Sequence, residues 1–320
     1  MHVAIVHDTK IPTSHYGGTE RVVWWLAKAL VKLNHRVTLI VPKGSTCDFA
    51  SIIERPSNDP RINPLIPKDV NIVHTSSTLH EKISKPFLST IHGNGQVGEK
   101  FHSNSVFISK DHASRHNSSA FVYNGLDIEE YPEINPALKE NFCYFLAKAS
   151  WGIKNVRGAI KISKLAKKDL KIVGGYRPTL GKRVKWLGML GGEKKNEILK
   201  KGSALINPVL WCEPFGLSII EALLTGSPVF GTPYGSLPEL IGEEYGFLST
   251  SSAKLAGALQ KSDEYNSETC RKYILEKFTN IHMANSYLNY YEHILSGKLL
   301  SKEEPKTLSK ESPEKKLFFN

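Results

Sequence analysis

Two successive series of strand-length apolar runs, each alternating with helix-period segments, constrain this chain most. In the first, residues 3–6 form a short apolar run. Tyr16-Gly17-Gly18-Thr19-Glu20 follows, and then Val22, Val23, Leu26, Leu30 and Leu33 recur at helical spacing. Asn34 can close that helix in a left-handed conformation, and 37–41 is the next strand. Further strand-like runs are 71–74, 88–91, 106–109 and 121–123. The second series starts near residue 141, with strands expected at 143–147, 171–173, 184–187, 204–207 and 228–231. Its helices are expected at 155–167, 192–201, 216–225, 253–262 and 267–278.

Strands alternating with helices predict an α/β protein whose parallel sheets are covered on both faces. Residues 131–136 contain two prolines and read as a linker. The prediction is two Rossmann-like domains facing a cleft, at 1–140 and 141–279. A helix at 280–296 follows, carrying Met283, Tyr287, Tyr290, Tyr291 and Ile294. The Lys/Glu/Ser/Pro-rich segment 297–320 is predicted to be disordered. No run of 18 apolar residues occurs, so no spanning helix is expected. The opening MHVAIVHDTK lacks a basic region followed by a long apolar stretch, so no signal peptide is expected. The four cysteines form no CxxC pair, which suits a reducing, cytosolic setting.

The stretch richest in chemistry runs from Asn207 to Ala222, NPVLWCEPFGLSIIEA. A helix should begin near Phe215-Gly216, after Pro214, and stop at Gly226 before Pro228. Glu213 then lies in the loop before the helix and Glu221 lies inside it. The free N–H groups of Phe215, Gly216 and Leu217 would form an anion site at the positive helix end. The two carboxylates could hold hydroxyls of a sugar and of a ribose, with phosphate between them. By itself the pair fits an acidic loop and one solvated glutamate equally well.

The surrounding segments add to this. Gly226-Ser227-Pro228-Val229, Gly235-Ser236-Leu237-Pro238-Glu239-Leu240-Ile241, Tyr16-Gly17-Gly18-Thr19-Glu20-Arg21-Val22-Val23 and Asn124-Gly125-Leu126-Asp127 fall in order with NPVLWCEPFGLSIIEA. As a set they resemble the retaining glycosyltransferases of GT-B fold in glycosyltransferase family four. The resemblance implies a donor that is a nucleoside-diphosphate sugar, UDP- or GDP-linked, with no further cofactor and no metal. It implies that Glu213 contacts the donor sugar and Glu221 the ribose. The amides of Phe215, Gly216 and Leu217 would face the sugar or the diphosphate. Lys154 matches a diphosphate-binding lysine. Lys148 stands where the family has an arginine, with the spacing one residue longer, and lysine lacks the planar bidentate contact of arginine. The Gly17-Gly18 loop would reach the diphosphate or the acceptor. His92, at the end of the run 88–91, would sit near the donor sugar. Gly174-Gly175-Tyr176 and residues 184–189 would neighbour the nucleotide. The resemblance also implies a last helix that crosses back to the N-terminal domain, an acceptor on that domain, and a glycan or glycolipid acceptor from cell-surface glycan biosynthesis.

Three other readings remain. One is a nucleotide-sugar epimerase or phosphorylase of the same fold. Another is a non-catalytic GT-B subunit. The third, a basic nucleic-acid-binding protein, predicts basic residues interleaved with aromatics. The aromatics instead cluster in the first helix, around Trp211 and in 280–296, so no nucleic-acid partner is expected. Ten of the twelve histidines lie in 1–140 without a metal-type spacing such as HExxH.

The formal net charge is +11, and its position discriminates among anionic partners. Residues 141–201 carry 16 basic and 3 acidic side chains, whereas 1–140 carry 15 and 14. The excess therefore lies at the start of the expected donor domain. Lys148 and Lys154 would meet diphosphate. The others, among them Lys161, Lys164, Lys194 and Lys195, are expected to face solvent. They would steer an anionic donor or hold a cytoplasmic enzyme peripherally at the inner face of an anionic membrane.

Overall fold

A computed structural model describes residues 1–13, 17–56, 61–76, 81–177, 182–308 and 317–320. Tyr16, the first residue of the Tyr16-Gly17-Gly18 stretch, lies outside the described residues. The described chain divides into two units, one of residues 1–13, 17–127 and 279–308, the other of 128–278 and 317–320.

The first unit is built on a parallel sheet. β1 (His2–Val6), β2 (Arg36–Pro42), β3 (Ser51–Arg55), β4 (Ile72–Thr75), β5 (Phe87–Ile91) and β6 (Ser105–Phe107) lie in the order β3-β2-β1-β4-β5-β6. All five of its strand pairs are parallel. α1 (Gly18–Lys32) buries Val22, Val23, Trp25, Leu26 and Leu30 along one face, as its apolar spacing predicts. Asn34 follows it with φ 62°, in the left-handed region expected. A short helix, α2 (Lys110–Ser114), is capped by the Ser109 side chain.

In the second unit, β7 (Phe142–Leu146), β8 (Asp169–Val173), β9 (Val184–Trp186), β10 (Ala204–Asn207), β11 (Val229–Gly231) and β12 (Gly246–Leu248) lie in the order β12-β11-β10-β7-β8-β9, again all parallel. The intervening helices are α3 (Val156–Leu165), α4 (Gly192–Lys201), α5 (Leu217–Leu224), α6 (Leu237–Leu240), α7 (Ser252–Gln260) and α8 (Ser267–Lys277). Cys143, Phe145, Ile162, Ile172, Ile206, Phe230 and Leu255 form its buried apolar core.

α9 (Asn280–Leu295) belongs to the first unit, so the chain returns there after the second. Departure and return run side by side: Leu126 pairs with Thr279, and Asn280 N–H donates to Leu126 O at 2.8 Å. A buried polar chain fastens α9 to the sheet. Tyr291 OH lies 2.5 Å from His74 Nδ1, His74 Nε2 lies 2.8 Å from Thr90 Oγ1, and Thr90 Oγ1 lies 2.9 Å from Tyr287 OH.

Several expectations differ from what is found. Residues 121–123 form no strand; Phe121 makes a single bridge to Phe107. β3 and β12 were not expected, because SIIER and GFL are too short and mixed to stand out. The boundary falls after Asp127 rather than after residue 140. The physical reason is Tyr131, which lies in the expected linker but is buried in the second unit, its OH donating to Glu221. Residues 298–308, expected to be disordered, run along the first unit instead. Phe101 N–H donates to Pro305 O, Gly98 N–H to Thr307 O and Thr307 N–H to Glu99 O. Residues 317–320 bind the second unit. Among the described residues, no helix is long and apolar enough to cross a membrane.

Candidate functional site

Each sheet has one place where the connections leave neighbouring strands toward opposite sides, and ligands of open parallel sheets bind in the crevice beyond the strand ends there. In the second unit that place lies between β7 and β10. The loop after β7 carries Lys148 and Lys154, and the loop after β10 carries Trp211, Glu213 and Gly216. Asn155 joins the two. It adopts φ 57°, caps α3 through its Oδ1, and its Nδ2 donates to Pro208 O at 2.9 Å. Asn tolerates the left-handed conformation and suits a cap, which is why one residue serves both ends. Leu210 N–H also donates to Ile153 O at 2.7 Å.

This bracing brings Lys154 Nζ to 2.6 Å from Glu213 Oε2. The same oxygen accepts from Trp211 Nε1–H at 2.8 Å, and the Lys154 ammonium lies over the Trp211 ring, 4.7 Å from its centre. Glu213 is buried, so its charge is compensated by one cation and one N–H. Its backbone is held from the far side. Ser236 N–H donates to Glu213 O at 2.9 Å, and a Cβ at Gly235 would fall 2.3 Å from both Glu213 N and Glu213 O. Only glycine fits there, at φ 65°.

Phe215 is a core side chain, 1% exposed, so only its backbone can face a ligand. Gly216, at φ 94° and ψ 68°, precedes α5, which starts at Leu217, one to two residues later than expected. The start of α5 therefore follows directly on the Lys154–Glu213 pair, a local arrangement suited to an anion.

Glu221 is placed differently from its partner in the motif. It lies inside α5, 1% exposed. Its Oε1 accepts from Lys195 Nζ at 2.5 Å and from Tyr131 OH at 2.7 Å. Lys195, expected to face solvent, is buried in this pair, 8% exposed. Lys148 is half-buried and lies over the Trp151 ring, 5.4 Å from its centre, without joining the Glu213 cluster. Gly174 and Gly188, in the loops after β8 and β9, are joined backbone to backbone at 2.8 Å, with Tyr176 and Met189 exposed beside them.

In the first unit the corresponding place lies between β1 and β4. His7 and Ser76, which follow these strands, are 2.7 Å apart through Nδ1 and Oγ. Thr9 Oγ1 lies 2.7 Å from His7 Nε2 and donates to Glu20 Oε1 at 3.0 Å. Ser76 Oγ also donates to Val6 O at 3.4 Å, so His7 is held between two hydroxyls that are themselves anchored to the first unit. Burial holds the His7 imidazole below its usual range, while Glu20 and Asp8 oppose the shift. Gly17 and Gly18 open α1 beside Glu20. His92 follows β5, half-buried, and desolvation of its ring lowers its basicity too. The turn after it is held by His112, whose Nε2–H donates to Gly93 O at 3.1 Å.

The sequence alone left Trp211 without a role, placed Lys195 among the solvent-facing lysines, and passed over Ser76 and Tyr131. Lys195 resembles its solvated neighbours in composition, and no spacing rule links it to a carboxylate 26 residues away.

The comparisons with known proteins agree with this arrangement of sheets. AviGT4, a glycosyltransferase involved in Avilamycin A biosynthesis, superposes with a TM-score of 0.79 at 20% identity, over 93% of this chain and 98% of that one. The fold is GT-B. Anabaena HepE in complex with UDP-glucose shares the GT-B architecture less closely, with a TM-score of 0.64 at 15% identity over 93% of this chain and all of that one. In the present chain, residues 143–262 match the family model described as glycosyl transferases group 1. That segment includes Lys148, Lys154, Lys195, Glu213 and Glu221. Over 84 residues, a quarter of this chain and 20% of the relative, the chain is 40% identical to a probable sucrose-phosphate synthase of Thermosipho melanesiensis. The chain spans less than half the length of the curated relatives it matches.

Proposed function

We propose that this protein is a retaining, metal-independent glycosyltransferase that moves a hexose from a UDP- or GDP-linked donor to a glycan or glycolipid acceptor. The observation that carries the reading is the buried Lys154–Glu213 pair, set between β7 and β10 and followed directly by the start of α5. The family match over 143–262 and the UDP-glucose bound by HepE support a nucleotide sugar as the donor.

The chemistry follows from the parts. Breaking the bond between the anomeric carbon and the diphosphate leaves negative charge on the departing phosphate and positive character on the sugar. Lys154 and the N–H groups at the start of α5 are fixed where they can stabilise the phosphate charge, and fixed groups need no reorganisation during the reaction. Lys148 adds a second cation. Glu213 is an acceptor for sugar hydroxyls, oriented by Trp211. Glu221 offers its carboxylate to the ribose, and its buried partner Lys195 sets its angle. In the first unit His92 and the Gly17-Gly18 loop are themselves groups suited to a sugar and to a phosphate. The basic surface of 141–201 draws the anionic donor and favours a peripheral position at an anionic membrane in the cytoplasm.

The test is a thermal-shift screen of UDP, GDP, ADP and their glucose conjugates, followed by transfer assays with the donor selected. A ligand that binds only the folded state raises the melting temperature. A shift by one nucleotide family, transfer that persists in EDTA and an axial-to-axial stereochemical outcome support the proposal. Epimerised donor without transfer overturns it.

A further inference from the structure

The last described segment, residues 317–320, lies against the loops that hold Glu213. Leu317 N–H donates to Leu210 O at 2.8 Å. Tyr234 OH donates to Phe318 O at 2.6 Å. Ser252 N–H donates to Asn320 O at 2.7 Å, and Asn320 N–H to Thr250 O at 3.1 Å. Side chains alternate as in a strand: Phe318 is 65% exposed, while Phe319 turns inward against the apolar core of the second unit. The segment is thus anchored in the core, with hydrogen bonds on both sides of that anchor.

The positions it grips decide what it can do. Leu210 precedes Trp211, whose indole holds Glu213. Tyr234 precedes Gly235, whose backbone presses on Glu213 from the other side. Leu210 also donates through its own N–H to Ile153 O, next to Lys154. A continuous backbone relay therefore runs from Ile153 through Leu210 to Leu317. The two loops that frame Glu213 are joined a second time by the segment.

We propose that residues 317–320 are a strap that positions the Lys154–Glu213 pair, and so tunes recognition of the diphosphate and sugar parts of the donor. The inference rests on the reading of this pair as a nucleotide-sugar site. The hydrogen bonds of the strap go to Leu210 and Tyr234, on the loops around Glu213, and to Thr250 and Ser252, so the nucleoside part should be indifferent to it.

Leu317→Pro removes the N–H that bonds Leu210 and leaves the chain length unchanged, because proline has no amide proton. Leu317→Ala keeps that N–H and is the control. Phe319→Ala releases the anchor without altering any backbone donor. Calorimetry with the intact protein would use the matched nucleoside monophosphate and diphosphate glucose from the UDP, GDP and ADP series. Hydrogen exchange would report on amides 209–213. In Leu317→Pro and Phe319→Ala the diphosphate sugar should bind about fivefold more weakly, the usual scale of one lost hydrogen bond. The monophosphate should be unchanged, and exchange at 209–213 should be faster. Leu317→Ala should match the parent in all three. Equal diphosphate-sugar affinity and equal exchange in Leu317→Pro and Leu317→Ala would overturn the strap. If the parent binds no nucleotide sugar, the functional reading fails, and with it the tuning of donor recognition; the exchange comparison then shows separately whether the segment braces the loop.

Discussion

Lys195 Nζ sits 2.5 Å from Glu221 Oε1, and both side chains are withdrawn from solvent. Tyr131 OH donates to the same oxygen. A buried pair of this kind is costly to halve, because the surviving carboxylate stays withdrawn from water while losing the ammonium that compensates its charge. Lys195→Met should destabilise the second unit by about 3–5 kcal/mol, and the double variant Lys195→Met/Glu221→Gln should regain much of that loss. Urea unfolding of the single and double variants checks this. Additive losses would mean that the two residues are energetically independent.

Trp211 makes a separate prediction possible at Glu213. Trp211→Phe retains an aromatic ring under Lys154 but deletes the indole N–H. The carboxylate then loses one of its two compensating groups. A hydrogen bond to a charged group contributes roughly 1.5–3 kcal/mol, so donor kcat/KM should fall about ten- to a hundredfold. Glu213→Ala and Lys154→Ala should abolish transfer while circular dichroism stays that of the folded protein. Full activity in either alanine variant would remove the pair from the donor site.

The difference between Lys154 and Lys195 shows how far the residues could be read without coordinates. Lys154 lies in a glycine-containing loop after a strand, where resemblance assigns it a phosphate. Lys195 lies on a helix amid Lys194, Lys200 and Lys201, and its burial depends on Tyr131 arriving from a segment that reads as a linker. Periodicity located most strands and every helix of nine or more residues, because those elements bury an apolar face. It missed β3 and β12, whose few residues gain their place from neighbours already in register. The Glu213 loop was legible as a motif. Its geometry was not, since it depends on Gly235 and Asn155, which act through backbone contacts with partners distant in sequence.

His74 supplies a pH-dependent prediction. It is buried between β5 and α9, and burial lowers its imidazole from 6.5 to about 3. The unfolded chain takes up a proton near pH 6.5 and the folded one does not, so the folded state is favoured fully above pH 6.5. Stability then falls as the pH drops from 6.5 toward 3. By pH 5 this one group accounts for about 2 kcal/mol of lost stability. His74→Leu should be less stable than the parent at pH 8, having lost its bonds to Thr90 and Tyr291. It should also show a shallower decline in melting temperature between pH 7 and pH 5. An unchanged slope would mean that His74 is protonated in the folded protein.

Gly235 is the sharpest test of backbone placement. Its φ of 65° already disfavours any side chain, and a Cβ there would lie 2.3 Å from two backbone atoms of Glu213. Neither neighbour is the tip of a flexible side chain, so the loop itself must move. Displacing Glu213 breaks the bond from Ser236 N–H and pulls the carboxylate from Lys154 and Trp211. Gly235→Ala should therefore cost at least tenfold in donor turnover, since a displacement of about 1 Å at a reacting group can cost a hundredfold. The turn lies outside the strands of the second unit, so its parallel sheet should persist, with a circular dichroism spectrum like that of the parent. Gly257→Ala is the matched control: that glycine lies inside α7 with nothing within 4 Å of an added Cβ, and the change should leave turnover unaltered. Parent-like turnover in Gly235→Ala would show that the Glu213 carboxylate need not be held where the structure holds it.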